Sequence, residues 1–302
     1  MMYVLENDLA RVTTSTLGAE VQSFILKEDQ TEYIWQGNPE IWAGRAPLVF
    51  PVVGRLKEDE YTFEGKNYHM GQHGFGSASE FTVIEQEADE IVFSLKYNEI
   101  TLQMYPFKFE LQIRYSLKET TLTKTHTMIN LDDKALYYAI GGHDSYNLCL
   151  EEGEVFEDYY LDFGSLEKLN PLEVDEHYHI LKETYEIPLH DGKLPLNMQV
   201  FEKGALVCHD FPVKDISIRS KKSGRVLQLA FDDFKTIGIW TRYLPKAANY
   251  ICLEPWSTLP DCAYLGKKLE EKVDIRKLLP NEKDTLTFSV TIQKYKIGDE
   301  CL

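Results

Sequence analysis

The 302-residue chain lacks most of the features that announce a function class. It has five cysteines, at 149, 208, 252, 262 and 301, an odd number with no CxxC pair. That argues against a disulfide framework or a zinc ribbon, and reduced thiols in a cytosol are expected. No run approaches the roughly 18 apolar residues of a membrane span. The opening MMYVLENDLARVTT has neither a basic start nor an apolar core, so no secretory signal is expected. Basic residues are in deficit, with 32 Lys and Arg against 49 Asp and Glu and a net charge of −17. Such a chain repels phosphates and anionic lipid, so neither nucleic acid nor membrane is an expected partner. There is no P-loop, no dinucleotide fingerprint after a strand and no nucleophile elbow. Long helical stripes, internal repeats and low-complexity linkers are missing too.

What is present is alternation. In FKFELQIRYSL, Phe107, Phe109, Leu111, Ile113, Tyr115 and Leu117 alternate with polar residues. This suits a half-buried strand, because successive side chains point to opposite faces of a sheet. EIVFSLKY and LTFSVTI alternate in the same way, and TLTKTHTM is rich in β-branched Thr. EGKN at 64–67 and KKSG at 221–224 read as hairpin turns in which Gly supplies the unusual backbone angle. SLEKL and KKLEEKVDIRKLL allow short turns of helix. The expected class is all-β: one domain over residues 1–302, a large antiparallel β-sandwich with few short helices. With 43% hydrophobic residues the chain can fill a large core, and a curved sheet of that size offers a concave face to a ligand.

Four stretches combine chemistry-bearing residues with unusual backbone. WAGRAPLVFPVVGRL at 42–56 holds Arg45 and Arg55, and its Pro51 should end a strand or confine it to an edge. GQHGFG at 71–76 sets His73 among glycines that permit close backbone approach. AIGGHDSYN at 139–147 puts His143 after two glycines, and an imidazole titrates near neutrality as a general acid must. YICLEPWSTLPD at 250–261 reads as a buried strand ending at Glu254, before Pro255 and Trp256. A carboxylate beside apolar groups has its pKa raised toward useful values, and Trp256 offers a face to a sugar. Each stretch has a plainer reading alone: a solvent-facing Arg, a loop His, a strand-terminal Glu. His177 and His179 in DEHYHI offer two metal donors without a clear third, which makes a weak site.

Taken in order, these stretches resemble the aldose 1-epimerase (galactose mutarotase-like) family, and most closely its branch of epimerase-like proteins related to those of lactose operons. The resemblance runs from GAEVQSF near 18–24 to EPWSTLPD near 254–261. It rests on PLVFPVVGRL, YTFEGKNYHMGQHGF, GGHDSYN and CLEPW. It implies a β-supersandwich that interconverts the α and β anomers of a free hexose in a cytosol. By the resemblance, Glu254 takes the proton of the C1 hydroxyl and His143 protonates the ring oxygen. His73, Arg55 and, less directly, Arg45 bind the sugar. No metal or organic cofactor is implied; the partner is a monosaccharide, and the chain acts as a monomer or homodimer. An ionised Glu254 and a protonated His143 are expected, with an arginine holding the carboxylate charged.

Three positions depart from the family pattern. Asp144 stands where Pro commonly follows the catalytic His, and it is expected to tune His143 or to bind sugar. Gly204 in FEKGALVC replaces an Asp that bonds sugar hydroxyls. Gly76 and Ser77 stand where relatives acting on hexose 6-phosphates carry an arginine, which argues against a phosphosugar. A carbohydrate-binding or sensor protein without catalysis and a hexose-6-phosphate 1-epimerase are the competing readings.

Overall fold

A computed structural model of the protein describes residues 1–245 and 248–295; Cys301 lies outside the described residues. Two large antiparallel sheets pack face to face, as the alternation implies. The first has nine strands, and three long ones form its middle: Lys283–Lys294, Thr121–Asn130 and Phe109–Lys118. In Phe109–Lys118 the apolar residues named above are all buried and their neighbours are not. Along Thr121–Asn130 the threonines instead form the outer face, where Thr121, Thr125 and Thr127 meet Thr291, Thr287 and Thr285 across the ladder. Its inner face carries Leu122, Lys124, His126, Met128 and Asn130, all buried.

The second sheet runs through Ile180–Thr184, Leu172–Val174, Leu206–Cys208, Thr236–Trp240, Tyr250–Trp256, Gly141–Gly142 and Leu48–Val49. Asp144–Asn147 pairs beside Gly141–Gly142 on the strand Tyr250–Trp256. Ile237, Ile239, Ile251 and Leu253 of this sheet share one buried cluster with Leu286, Phe288 and Val290 of the first. That cluster is the sandwich core. Leu48–Val49 is an edge strand and ends before Pro51, as a residue without an N–H requires. A four-stranded sheet built from residues 2–32 adds to the assembly.

Both expected hairpins form. Glu60–Phe63 pairs with Lys66–His69 through Glu64 and Gly65, both at positive φ, the turn form that matches strand twist. Asp215–Ser220 pairs with Arg225–Ala230, with Gly224 at positive φ. The helix expectations fare less well. SLEKL is not helical, because Lys168–Leu169 pairs with Ile187–Pro188. KKLEEKVDIRKLL makes one 3-10 turn at Leu269–Glu271 and then a strand at Arg276–Leu278. Among the described residues the α-helix that does form is Glu99–Met104, closed at its start by Asn98, whose side chain accepts from the Ile100 and Thr101 N–H groups. Among the described residues no helix is long and apolar enough to cross a membrane.

Candidate active site

The second sheet has two faces, and the strand Tyr250–Trp256 sorts its side chains between them. Ile251 and Leu253 point into the sandwich core, while Tyr250 and Cys252 join a separate outer cluster with Trp35, Ile41, Trp42 and Trp240. Period two puts Glu254 on the same outer face as Tyr250 and Cys252. The neighbouring segment pairs Gly141 with Trp256 and Asp144 with Leu253. The register is unbroken between those two pairs, so His143 stands across from Glu254. Residues directly opposite in an antiparallel pair have Cβ atoms about 4.5–5.5 Å apart, close enough for their side chains to meet. They do: Nε2 of His143 lies 3.2 Å from Oε2 of Glu254.

The two glycines before His143 make that approach possible. A Cβ at Gly141 would stand 2.5 Å from the Pro255 carbonyl oxygen, and one at Gly142 would stand 2.8 Å from the Phe288 ring. A side chain at Gly141 would have to move the strand that carries Glu254, and one at Gly142 would have to move Phe288 of the facing sheet. The segment is also tied to its other neighbour. The His143 N–H donates to the Pro47 carbonyl at 3.1 Å, and the Ser145 N–H donates to the Arg45 carbonyl at 2.9 Å.

His73 comes in from the 71–76 turn at a positive φ of 59°. Its N–H donates to the Gly54 carbonyl at 2.8 Å, and its Nδ1 accepts from the Gly54 N–H at 3.2 Å. A backbone donor on Nδ1 fixes the tautomer, so the proton of the neutral ring sits on Nε2. Burial pushes the His73 pKa down to about 4, so near neutral pH this side chain offers one N–H donor. Its ring stands 5.4 Å from the His143 ring, edge to face.

The charge state of the central pair differs from the expectation. Glu254 is 2% exposed, and burial raises its carboxyl pKa well above the ordinary value, with the Asp144 charge adding to the effect. Burial pushes His143 down to about 3, with His73 contributing. Among the described residues Glu254 has no ion-pair partner besides His143. The arginine expected to hold it charged is elsewhere: the Arg55 guanidinium is half exposed, with Nε 3.3 Å from Oδ1 of Asp59. Arg45 bonds Gln22 Oε1 at 2.6 Å and the Gln36 carbonyl at 3.0 Å. Desolvation without a nearby cation favours the uncharged pair, with one proton on the carboxyl and none to spare on the imidazole.

Asp144, expected to tune His143 or touch sugar, has its side chain on the other face by the same alternation, and its charge acts through the sheet on Glu254 rather than on His143. It follows His143 by one residue and therefore points to the other face. Its carboxylate is 1% exposed inside the sandwich, paired with Lys124 of the opposite sheet and 3.3 Å from the Tyr146 hydroxyl. Trp256 is on the outer face but offers no open stacking surface, since only 4% of it is exposed among Val49, Val53, Val207 and Leu259. Its ring lies across Gly238, where a Cβ would stand 2.7 Å from it.

The aromatic surface at the site comes from residues the motif reading passed over. Trp42 stacks on His143 with centroids 5.0 Å apart, Trp240 meets the same ring edge-on at 5.7 Å, and Tyr250 stacks between Trp35 and Trp42. The chain has four tryptophans, and all four lie on this face. Gly204 has φ +97° and no atom within 4 Å of a built Cβ, so that position supplies no group to a ligand.

Comparison with known proteins places the chain in a family. The family described as aldose 1-epimerase matches residues 1–269. Protein LacX of Lactococcus lactis subsp. lactis, in its chromosomal form, is 32% identical over 300 residues, covering 97% of this chain and 99% of its own. A galactose mutarotase related enzyme from Lactobacillus acidophilus superposes with a TM-score of 0.91 at 35% identity, over 99% of both chains. A galactose mutarotase-like protein from Lactobacillus casei also gives 0.91, at 27% identity, over 97% of this chain and 100% of its own. With the match over residues 1–269 and the 32% identity to LacX along nearly its whole length, this chain belongs to the aldose 1-epimerase family.

Proposed function

We propose that the protein interconverts the α and β anomers of a free, uncharged hexose by acid–base ring opening. The observation that carries this reading is the cross-strand contact of His143 and Glu254, buried on an aromatic face with His73 as a fixed donor beside it. Mutarotation needs one group that takes a proton and one that gives a proton, positioned on either side of C1. One group removes the proton of the C1 hydroxyl, and the C1–O1 bond becomes a carbonyl. The ring C1–O5 bond breaks, its electron pair goes to O5, and the second group protonates O5. Rotation about C1–C2 and the reverse steps give the other anomer. The pair begins and ends with one proton in total.

Glu254 takes the base role and His143 the acid role. In the sugar-free site the shared proton favours the carboxyl, so the working tautomer differs by one proton transfer along the 3.2 Å contact. Sugar hydroxyls inserted between the two groups, together with the His73 Nε2–H, stabilise the charged tautomer as they replace lost water. Trp42 and Trp240 supply apolar surface against the C–H faces of a pyranose, the usual make-up of a small-ligand site. An uncharged substrate fits a site where, among the described residues, Glu254 pairs with no Lys or Arg, and where the residues that follow Phe75, Gly76 and Ser77, are neutral.

Polarimetry on freshly dissolved α-anomers of glucose, galactose and other aldoses tests the reading. Accelerated rotation change toward equilibrium is expected for at least one of them. A sugar that binds by calorimetry while its anomers exchange at the buffer rate makes the protein a carbohydrate binder instead. A requirement for a 6-phosphate would move it to phosphosugars.

A further inference from the structure

Cys252 stands two residues before Glu254 on the same strand and on the same face, so its thiol shares the buried outer cluster with the acid–base pair. One donor each from His143, Cys252 and Glu254 come together within 4.8 Å of one another. We propose that this trio is a binding site for a thiophilic, tetrahedral divalent cation of the zinc class, and that the cation shuts down the site when it binds.

Three observations carry the inference. The first is donor chemistry: thiolate, imidazole and carboxylate are the three side-chain ligands zinc takes, and a soft sulfur selects against magnesium and calcium. The second is spacing. Two light ligands at about 2.05 Å from a tetrahedral zinc stand about 3.3 Å apart, and Nε2 of His143 and Oε2 of Glu254 stand 3.2 Å apart. An ideal tetrahedral zinc would hold a sulfur about 3.5 Å from each light ligand, and a Cys252 donor lies within 4.8 Å of the other two. The third is an incomplete hydrogen-bond account: Oε2 of Glu254 is buried and has nothing beside it but the 3.2 Å contact with Nε2 of His143, which leaves lone-pair capacity for a cation. His143 keeps 13% of its side chain exposed, so the cluster has an opening on the sugar side. The fourth position of the cation faces that opening and takes water or a sugar hydroxyl.

Binding displaces protons to solvent: the thiol proton of Cys252 and the proton shared by His143 and Glu254. With both lone pairs engaged by metal, neither member of the pair can move a proton, so catalysis stops. The outer shell is thin. Nδ1 of His143 is buried without a partner, whereas a dedicated zinc centre holds that N–H on a carboxylate or carbonyl. The site is therefore a reversible inhibitory one rather than a resident cofactor centre.

The test is a titration of the full-length protein with Co²⁺ followed by absorbance, then displacement by Zn²⁺ and calorimetry. A thiolate-to-cobalt charge-transfer band that saturates at one ion per chain is expected, and it should vanish in Cys252→Ser. Zn²⁺ affinity should fall in that variant by at least about tenfold, the least that loss of even an outer-shell partner costs. If Cys252→Ser fails to fold, Cys252→Ala serves the same purpose, and Cys262→Ser should leave the band unchanged. Absence of the band, or a band and affinity that survive loss of Cys252, overturns the proposal. The inhibition arm rests on the proposed epimerase activity: Zn²⁺ should lower the mutarotation rate in wild type and spare each Cys252 variant relative to its own zinc-free rate. The cobalt arm does not depend on activity. A cobalt band in a protein without activity sinks only the proposed function, and an active protein without the band sinks only the metal site.

Discussion

Replacing Asp144 with Asn separates the role in the core from any role in sugar binding. The carboxylate is buried and paired with Lys124, whose ammonium also stands 5.2 Å from the Phe288 ring centre and 5.7 Å from that of Tyr115. Removing one partner of a buried ion pair leaves the other charged and unpaired, at a cost of about 3–5 kcal/mol. Unfolding entropy of roughly 2.1 cal/mol/K per residue gives about 0.6 kcal/mol/K for 302 residues. The expected loss in Tm is therefore about 5–8 °C, readable by calorimetry or by circular dichroism. The KM for sugar should stay within about twofold, because the side chain is on the other face of the sheet. A double replacement, Lys124→Met with Asp144→Val, should recover most of the loss, since an apolar pair of similar volume needs no charge compensation. A Tm unchanged in Asp144→Asn together with a KM raised about tenfold would place the carboxylate on sugar and refute the argument.

Other consequences follow from the same geometry. With His143 pushed down to about 3 and Glu254 raised, the singly protonated pair persists across the neutral range. Stopped-flow polarimetry should show no acid limb in kcat/KM near the ordinary imidazole value of 6.5; a limb centred there contradicts the neutral pair. Gly74 has φ +74°, and a Cβ there would stand 2.2 Å from the Phe50 carbonyl oxygen. Gly74→Ala should cost about 2–3 kcal/mol of stability and lower activity by displacing His73. Gly65→Ala, at the same φ with no atom within 4 Å, should cost only about 1–2 kcal/mol and leave the rate alone. Equal losses in both glycine variants would remove the steric argument.

Much of this was legible in the sequence where a single physical rule dominates. Alternation read the sandwich strands because a half-buried strand has no other way to sort its side chains. Turn glycines marked both hairpins because positive φ excludes most other residues. SLEKL misled because pairing with Ile187–Pro188 overrides local propensity. Glu99–Met104 was missed because six residues cannot show a helical stripe, although Asn98 and Thr101 carried its cap. His143 and Glu254 stood out through their glycine and proline neighbours, but the register that sets them opposite each other belongs to the folded sheet. Asp144 was misplaced for want of carrying alternation through GGHDSYN, which by itself assigns adjacent residues to opposite faces. Trp35 and Trp42 lie close together in the chain, but Trp240 is far from them and joins them only after folding.

The central claim is that His143 and Glu254 work as one proton-exchanging unit. Its most direct test is anomeric exchange measured by NMR on a sugar labelled at C1, comparing wild type with Glu254→Gln and His143→Gln. Each single variant should lose about 10²–10⁴-fold in exchange rate, and the double variant should lose little more than either alone, as groups acting as a unit do. Wild-type exchange in Glu254→Gln, or losses that multiply in the double variant, would contradict the account.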